Sequence, residues 1–225
     1  DYDLVVVGGG PAGSSAAFAA AKNGIKVALI EKENSIAETV RTSGVTWIES
    51  IKEFGIPDDC YNPIKNFSFV SPNNEVTIKD SIATAAVLDV RKTYRWLAHE
   101  AEGEGADIFL KININEVIKN ENNDIIGVSG TGPNGKITFN SKIVIDATGF
   151  TSTISKAMGF VTQWKRFGAG AEYEAMVENA DPDTWWLMVG QEYTPAGYAW
   201  IFPLGNNIVR IGVGVGKPES DVDPT

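Results

Sequence analysis

The sequence predicts an α/β protein, with a parallel βαβ dinucleotide-binding domain over 1–160 and an antiparallel sheet that begins within 161–225. Three observations carry this. An apolar run, Leu4 to Val7, stops at Gly8, Gly9 and Gly10 and passes at once into a helix of small residues. A second apolar run ends on an acid, Glu31. After Gly159 the texture changes to extended segments separated by glycine, proline and asparagine, which is the pattern of a separate sheet.

The first element is the most informative. Gly8, Gly10 and Gly13 fill the G-x-G-x-x-G spacing. The first permits a tight turn, the second removes a side chain that would block a pyrophosphate, and the third lets helix and strand pack closely. Pro11 suits the first helical position, where its missing N–H costs nothing, and Ala12 continues the turn. Ala16, Ala17, Ala20 and Ala21 are small enough to lie close on a sheet, and Gly24 ends the helix. Lys26 to Glu31 is the second strand. Glu31 stands where an acid accepts hydrogen bonds from a ribose hydroxyl and repels a 2′-phosphate, with Lys32 beside it. The positive end of the helix dipole would face the diphosphate. These residues point to FAD or NAD, and less readily to NADP.

Composition sets the limits. With 225 residues and 43% hydrophobic content, the chain can bury a sizeable core. A formal net charge of −10 argues against nucleic acid and against electrostatic docking on anionic lipid. No apolar run approaches a membrane span and no signal peptide is visible, so a cytoplasmic address is expected. The single cysteine, Cys60, excludes an internal disulfide and a multi-cysteine metal site, and no metal is expected. His99, the only histidine, lies in a polar helical stretch and reads as a surface residue, which leaves a Ser-His-Asp triad without its base.

Further along, Glu31 to Val40 reads as a loop, Val45 to Phe54 as a helix stopped by Gly55, and Asn66–Val70 with Glu75–Lys79 as a β-hairpin inserted in the first domain. Ala83 to Val90 is a short apolar run closed by Arg91. Lys92 to Gly103 is an amphipathic helix, followed by strands at Asp107–Ile112 and Asn115–Lys119. Ile125–Gly130 pairs with Lys136–Asn140 across Pro133-Asn134-Gly135. Lys142 to Asp146 is a buried strand running into Ala147-Thr148-Gly149, and Ser152 to Gly159 a short helix. The later sheet is expected from Gly168–Val177, Trp185–Glu192, Tyr198–Pro203 and Ile208–Val215. Trp185, Trp186, Tyr193, Tyr198 and Trp200 crowd into it. Such a cluster serves either as core or as the wall of an apolar substrate cavity.

Together these residues resemble the geranylgeranyl reductase family of FAD-dependent oxidoreductases, within the larger group that includes p-hydroxybenzoate hydroxylase. Gly8-Gly9-Gly10-Pro11-Ala12-Gly13 with Glu31 is similar to the FAD motif of that group, and Asp146-Ala147-Thr148-Gly149 to its second FAD-proximal segment. Tyr198-Ala199-Trp200-Ile201-Phe202-Pro203, preceded by Pro195 and Gly197, resembles the P-x-x-Y-x-W-x-F-P motif that lines the reductases' substrate cavity.

The resemblance implies a Rossmann-like FAD-binding βαβ domain with an antiparallel β-sheet substrate domain, p-hydroxybenzoate hydroxylase-like. It implies FAD as cofactor, arginines near it at Arg41 and Arg91, and a backbone contact to adenine at Val117. Tyr198, Trp200, Phe202 and Pro203 would bind substrate, while no catalytic residue is singled out. The implied reaction saturates isoprenoid C=C bonds of a geranylgeranyl lipid or diphosphate. An external donor, NAD(P)H or ferredoxin, would recharge the flavin, and a lipid-like substrate leaves peripheral membrane contact open. The rivals are a flavin monooxygenase or halogenase, and a flavoprotein dehydrogenase passing electrons to quinone. Two departures stand out. Family members acting on archaeal lipid precursors often carry Cys where Arg41-Thr42-Ser43-Gly44 has Thr42, so no thiol role transfers. The Gly-Asp motif that follows the substrate sheet in family members is not reached by Thr225, which implies a carboxy-terminally truncated member.

Overall fold

Alternation along the first strand sets the amino-terminal fold. Leu4 and Val6 enter one apolar cluster and Val5 and Val7 another, so this strand is covered on both faces. The structure, a computed structural model, describes residues 1–160 and 164–225.

The chain opens with β1 (Tyr2–Val7), α1 (Pro11–Lys22) and β2 (Val27–Ile30). Next come β3 (Val45–Trp47), α2 (Ile48–Phe54), β4 (Tyr61–Ile64), β5 (Asn66–Ser71), β6 (Asn74–Lys79) and β7 (Ala85–Leu88). They are followed by α3 (Val90–Gly103), β8 (Asp107–Phe109), β9 (Asn113–Lys119), β10 (Ile125–Gly132), β11 (Gly135–Asp146) and α4 (Thr153–Ala157). The last strands are β12 (Phe167–Met176), β13 (Thr184–Val189), β14 (Gly197–Gly205) and β15 (Ile208–Lys217). Among the described residues no helix is long and apolar enough to cross a membrane.

Two compact units divide the chain, and each is discontinuous: Asp1–Val40 with Arg91–Gln163, and Arg41–Val90 with Trp164–Thr225. In the first unit the strand order is β8-β2-β1-β11-β10-β9. β8, β2, β1 and β11 run parallel, and β10 and β9 continue antiparallel. Ala17, Ala20 and Ala21 of α1, with Ala101 of α3, cover the Leu4, Val6 and Leu29 face. Ile112, Ile114, Val128, Phe139 and Ile154 cover the other. Each buried Val, Leu or Ile contributes about 1.5–3 kcal/mol. β11 differs from the sequence expectation of two strands. It is continuous, pairing with β10 up to Asn140 and with β1 from Ser141, because Ser141 keeps extended geometry and directs its hydroxyl to the carbonyl of Ile143.

In the second unit the large sheet has the order β12-β15-β14-β13-β5-β6. All four carboxy-terminal segments expected as strands are present. The hairpin β5–β6, expected inside the first domain, joins this sheet instead through parallel pairing of β5 with β13. A smaller antiparallel sheet, β3-β7-β4, packs against it through Ile64, Ala85, Val87, Trp185, Trp200 and Phe202. The helix expected from Val45 begins only at Ile48. Val45, Thr46 and Trp47, β-branched and aromatic, pair with β7, so tertiary strand pairing overrides the helical spacing of their apolar side chains.

Candidate functional site

In the first unit, the C-terminal ends of β1 and β11 lie side by side, and each leads into a turn. A parallel sheet binds ligands at such ends. Gly8 has φ +109, and a Cβ there would come 2.3 Å from the carbonyl oxygen of Ala147, so the two turns touch backbone to backbone. At Gly13 a Cβ would sit 1.8 Å from the carbonyl oxygen of Gly8, which fixes helix against strand. Gly10 differs. It caps α1 in extended geometry without a side-chain cap, and a Cβ there would meet nothing within 4 Å. The first-turn N–H groups behind it have no intrahelical acceptor. Space beside Gly10, exposed Pro11 and Ala12, and a helix N-terminus together make a cradle for a diphosphate, so these residues fit FAD.

Glu31 follows β2 and is half-buried. Its Oε2 accepts from the Gly9 N–H at 2.7 Å and its Oε1 from the Glu33 N–H at 3.0 Å, so the acid holds the glycine turn from the side. Asp146 at the end of β11 does the same for the second turn. Its Oδ1 accepts from the Thr148 N–H at 3.1 Å and hydroxyl at 2.6 Å, and its Oδ2 from the Ser155 N–H at 2.7 Å. Burial alone would raise this carboxyl, but the hydrogen bonds from Thr148 and Ser155 outweigh it and hold it below the usual carboxylate range. Gly149 is exposed on the one-turn 3-10 helix Gly149–Thr151. Lys32 and Arg91 are exposed, Val117 is half-buried on β9 against the cluster of Val5 and Val128, and Arg41 belongs to the second unit. Gly9 and Thr148 stand in the two quoted motifs, but their hydrogen bonds to Glu31 and Asp146, and that of Ser155, were not read from the sequence. Apart from the Thr148 hydroxyl, their part is played by backbone N–H groups, which leave no mark in residue type.

The second unit carries the aromatic motif on β14. Tyr198, Trp200 and Phe202 alternate onto one face of the sheet. The Trp200 indole lies flat over β15: a Cβ at Gly212 would come 2.4 Å from its Cζ2, so that strand passes beneath the ring only as glycine. Tyr198 and Trp200 wall a groove of about 610 Å³ whose floor is Gly168, Gly170, Gly214 and Gly216. That volume suits a small-molecule ligand. Of the residues expected at the substrate, Tyr198 is 49% exposed and Trp200 8%. Phe202 is buried 5.6 Å, centroid to centroid, from Trp185. Pro203 is buried, and its carbonyl accepts from Asn62 Nδ2 at 3.1 Å. Tyr198 and Trp200 therefore face the groove, and Phe202 and Pro203 support it from the core.

A buried charge cluster sits on the same strands. Arg210 of β15 is 2% exposed. Its Nη1 donates to the Ser43 carbonyl at 2.6 Å and its Nη2 to Glu174 Oε1 at 2.7 Å, while its Nε lies 3.9 Å from Glu172 Oε1. Glu172 Oε2 and Trp200 Nε1 are both buried without a completed hydrogen bond. Burial pushes the Glu172 carboxyl up. Arg210 and the nearby Trp200 N–H pull it down by less, and Glu174 adds to the rise. A carboxyl raised in the folded state penalises only its ionised form, so the stability it gives is complete at low pH and lost as pH rises through its folded pKa. Glu172→Gln is therefore expected to stabilise the protein increasingly as pH rises above the ordinary Glu value of about 4.3. Urea midpoints of both proteins across that range check this; a difference independent of pH would mean that burial of the charge is not its source. The sequence reading passed over Arg210; the signal that marks it is a single charge in the apolar run Ile208 to Val215, and only the strand pairing sets it opposite the acids of β12.

Residues 3–181 match the model of the FAD dependent oxidoreductase family, and residues 168–224 that of the geranylgeranyl reductase catalytic domain. Over 95% of the chain the sequence is 35% identical to digeranylgeranylglycerophospholipid reductase of Methanocaldococcus jannaschii, covering 55% of that protein. Over 98% it is 32% identical to digeranylgeranylglycerophospholipid reductase 1 of Methanopyrus kandleri, covering 59%. A geranylgeranyl bacteriochlorophyll reductase-like structure from Thermoplasma acidophilum superimposes with a TM-score of 0.85 at 31% identity, over 95% of this chain and 56% of that one. The chain thus spans a little over half the length of these relatives. With a diphosphate cradle on β1 and an aromatic motif on β14, the chain belongs to the FAD-dependent oxidoreductases, in their geranylgeranyl reductase family.

Proposed function

We propose that the protein to which this chain belongs reduces C=C bonds in isoprenoid chains carried by a lipid or a diphosphate. The observation that carries this reading is the glycine-floored groove walled by Tyr198 and Trp200, on a chain that also holds an FAD cradle. FAD, when bound and reduced by an external donor, would supply the hydride. Gly8, Gly10, Gly13 and the α1 N-terminus would hold its diphosphate, Glu31 a ribose, and Asp146 and Gly149 would shape the second turn beside it. Arg41, Arg91, Lys32 and Val117 are further proposed contacts.

The groove residues do the rest. A flexible isoprenoid chain loses water against glycine backbone and aromatic rings, which favours binding without a charged contact. An isolated alkene accepts hydride poorly, so delivery of a proton, drawn in the end from water, that develops positive charge on the tertiary carbon lowers the barrier. The π faces of Tyr198 and Trp200 stabilise such charge by about 0.5–2 kcal/mol per ring. Trp200→Leu is therefore expected to lower kcat by about 2- to 30-fold with FAD content unchanged. Unchanged turnover would remove the ring from the mechanism.

The electron donor is external, either NAD(P)H or ferredoxin, and a lipid-borne substrate brings the protein to a membrane surface. The reading is tested by reducing the FAD-loaded protein anaerobically and adding a geranylgeranyl lipid. Reoxidation with saturation of the lipid supports it. Reoxidation only by oxygen or by quinone would replace it with a monooxygenase or an electron-transfer dehydrogenase.

A further inference from the structure

We infer that the groove is a polar-ended site in which Arg166 takes the phosphate end of an isoprenoid ligand, with Glu219 as the internal anion that the phosphate displaces. The inference rests on the reading of the groove as a chain site.

The groove differs at its two ends. Inward it closes on Trp200, which is 8% exposed. Outward it is bordered by Arg166, Lys217 and Glu219, where β12 begins and β15 ends, with Phe167 paired to Lys217. The chain carries a net charge of −10, so cations gathered at one mouth stand against the general balance. Arg166 is ion-paired through Nη2 to Glu219 Oε1, and its side chain is 77% exposed. An exposed pair of this kind contributes little to stability and exchanges readily. A guanidinium binds phosphate by the same forked geometry with which it binds carboxylate, and a phosphate carries more charge. Lys217 Nζ donates to the Val222 carbonyl at 2.8 Å and adds positive potential at the same mouth. Between mouth and Trp200 the floor is glycine, so the ligand that satisfies both ends is a linear hydrocarbon chain terminating in phosphate.

The test is direct binding, which needs neither FAD nor turnover. Geranylgeranyl diphosphate and geranylgeraniol are titrated by calorimetry into the protein and into Arg166→Gln, Glu219→Gln and Gly168→Leu, each checked for unchanged melting temperature. A Cβ at Gly168 would have no neighbour closer than 3.9 Å, so leucine there fills the groove without straining the strand. Arg166→Gln is expected to weaken the diphosphate about tenfold or more and the alcohol less than twofold. Glu219→Gln is expected to strengthen only the diphosphate, and Gly168→Leu to weaken both ligands.

Equal loss of alcohol and diphosphate in Arg166→Gln, or no loss for any phosphate ligand, the micelle-borne one included, overturns the anchor. If the alcohol still binds and Gly168→Leu blocks it, the chain site survives that failure. If neither ligand binds the parent protein, the chain-site reading falls and the anchor with it. A dialkylglycerol phosphate in neutral detergent micelles, run in parallel, separates the two sources of phosphate. Dependence on Arg166 in the micelle titration alone assigns a lipid headgroup, in the free diphosphate alone a prenyl diphosphate, and either result supports the anchor.

Discussion

Gly10→Val is expected to abolish FAD retention while the protein remains folded. The argument is one of space. Gly10 has nothing within 4 Å of where a Cβ would stand, and its φ of −73 with ψ of −175 is open to any residue. Valine therefore strains neither β1 nor α1, and replacing glycine at a helix cap costs no more than about 1 kcal/mol. The isopropyl group would instead fill the approach to the α1 N-terminus, where the diphosphate needs close contact with backbone N–H groups. A loss of about 100-fold or more in FAD affinity is expected from forfeiting several charge-assisted hydrogen bonds at once. Equilibrium dialysis against FAD measures it, and the melting temperature serves as the control. Gly13→Ala supplies the contrast. Its Cβ would be driven into the Gly8 carbonyl, so that variant is expected to lose stability and FAD together. If Gly10→Val retained FAD at the parent affinity, the diphosphate would have to be bound elsewhere.

Arg210→Met is expected to give the largest stability loss in the second unit. Its guanidinium ties β15 to the carbonyl of Ser43 and to Glu174, and it is 2% exposed, so no water replaces it when it is removed. Breaking a buried ion pair from one side costs about 3–5 kcal/mol. The Glu174 side chain is 42% exposed and regains water, which places the expected loss near the lower figure, about 3 kcal/mol. Urea unfolding of the second unit's tryptophan signal measures it. Adding Glu172→Gln and Glu174→Gln to Arg210→Met should recover part of the loss, because the stranded carboxylates are then gone. A triple variant no more stable than the single one would shift the cause to the unpaired Ser43 carbonyl.

The carboxy-terminal strands and their order along the chain could be read from turn signals and alternation, and the FAD cradle from glycine spacing. The pairing of these strands could not. The hairpin β5–β6 carries a local signal for itself and none for its parallel partner β13, which lies more than a hundred residues later. Val45 to Trp47 shows the same limit at shorter range, since their helical spacing yields to pairing with β7. Asp146 was legible as an acid at the end of a strand, but its use of Thr148 and Ser155 was not, since both oxygens are taken by groups that only the closed turn brings together.

What the sequence by itself determined is the cradle. Strand, glycine turn, helix and acid are contiguous in Asp1 to Glu31, so local sterics and helix electrostatics suffice to specify them. What only the tertiary structure decided is the groove and the charge beneath it. The floor comes from glycines of β12 and β15, the wall from β14, and the mouth from Arg166 and Glu219. Glycine alternates along these strands, at 168 and 170 and at 212, 214 and 216, but that pattern does not say what lies over it. Its role emerges only when hydrogen bonding sets three separate strands in register, so that an absent side chain on one makes room for an indole on another.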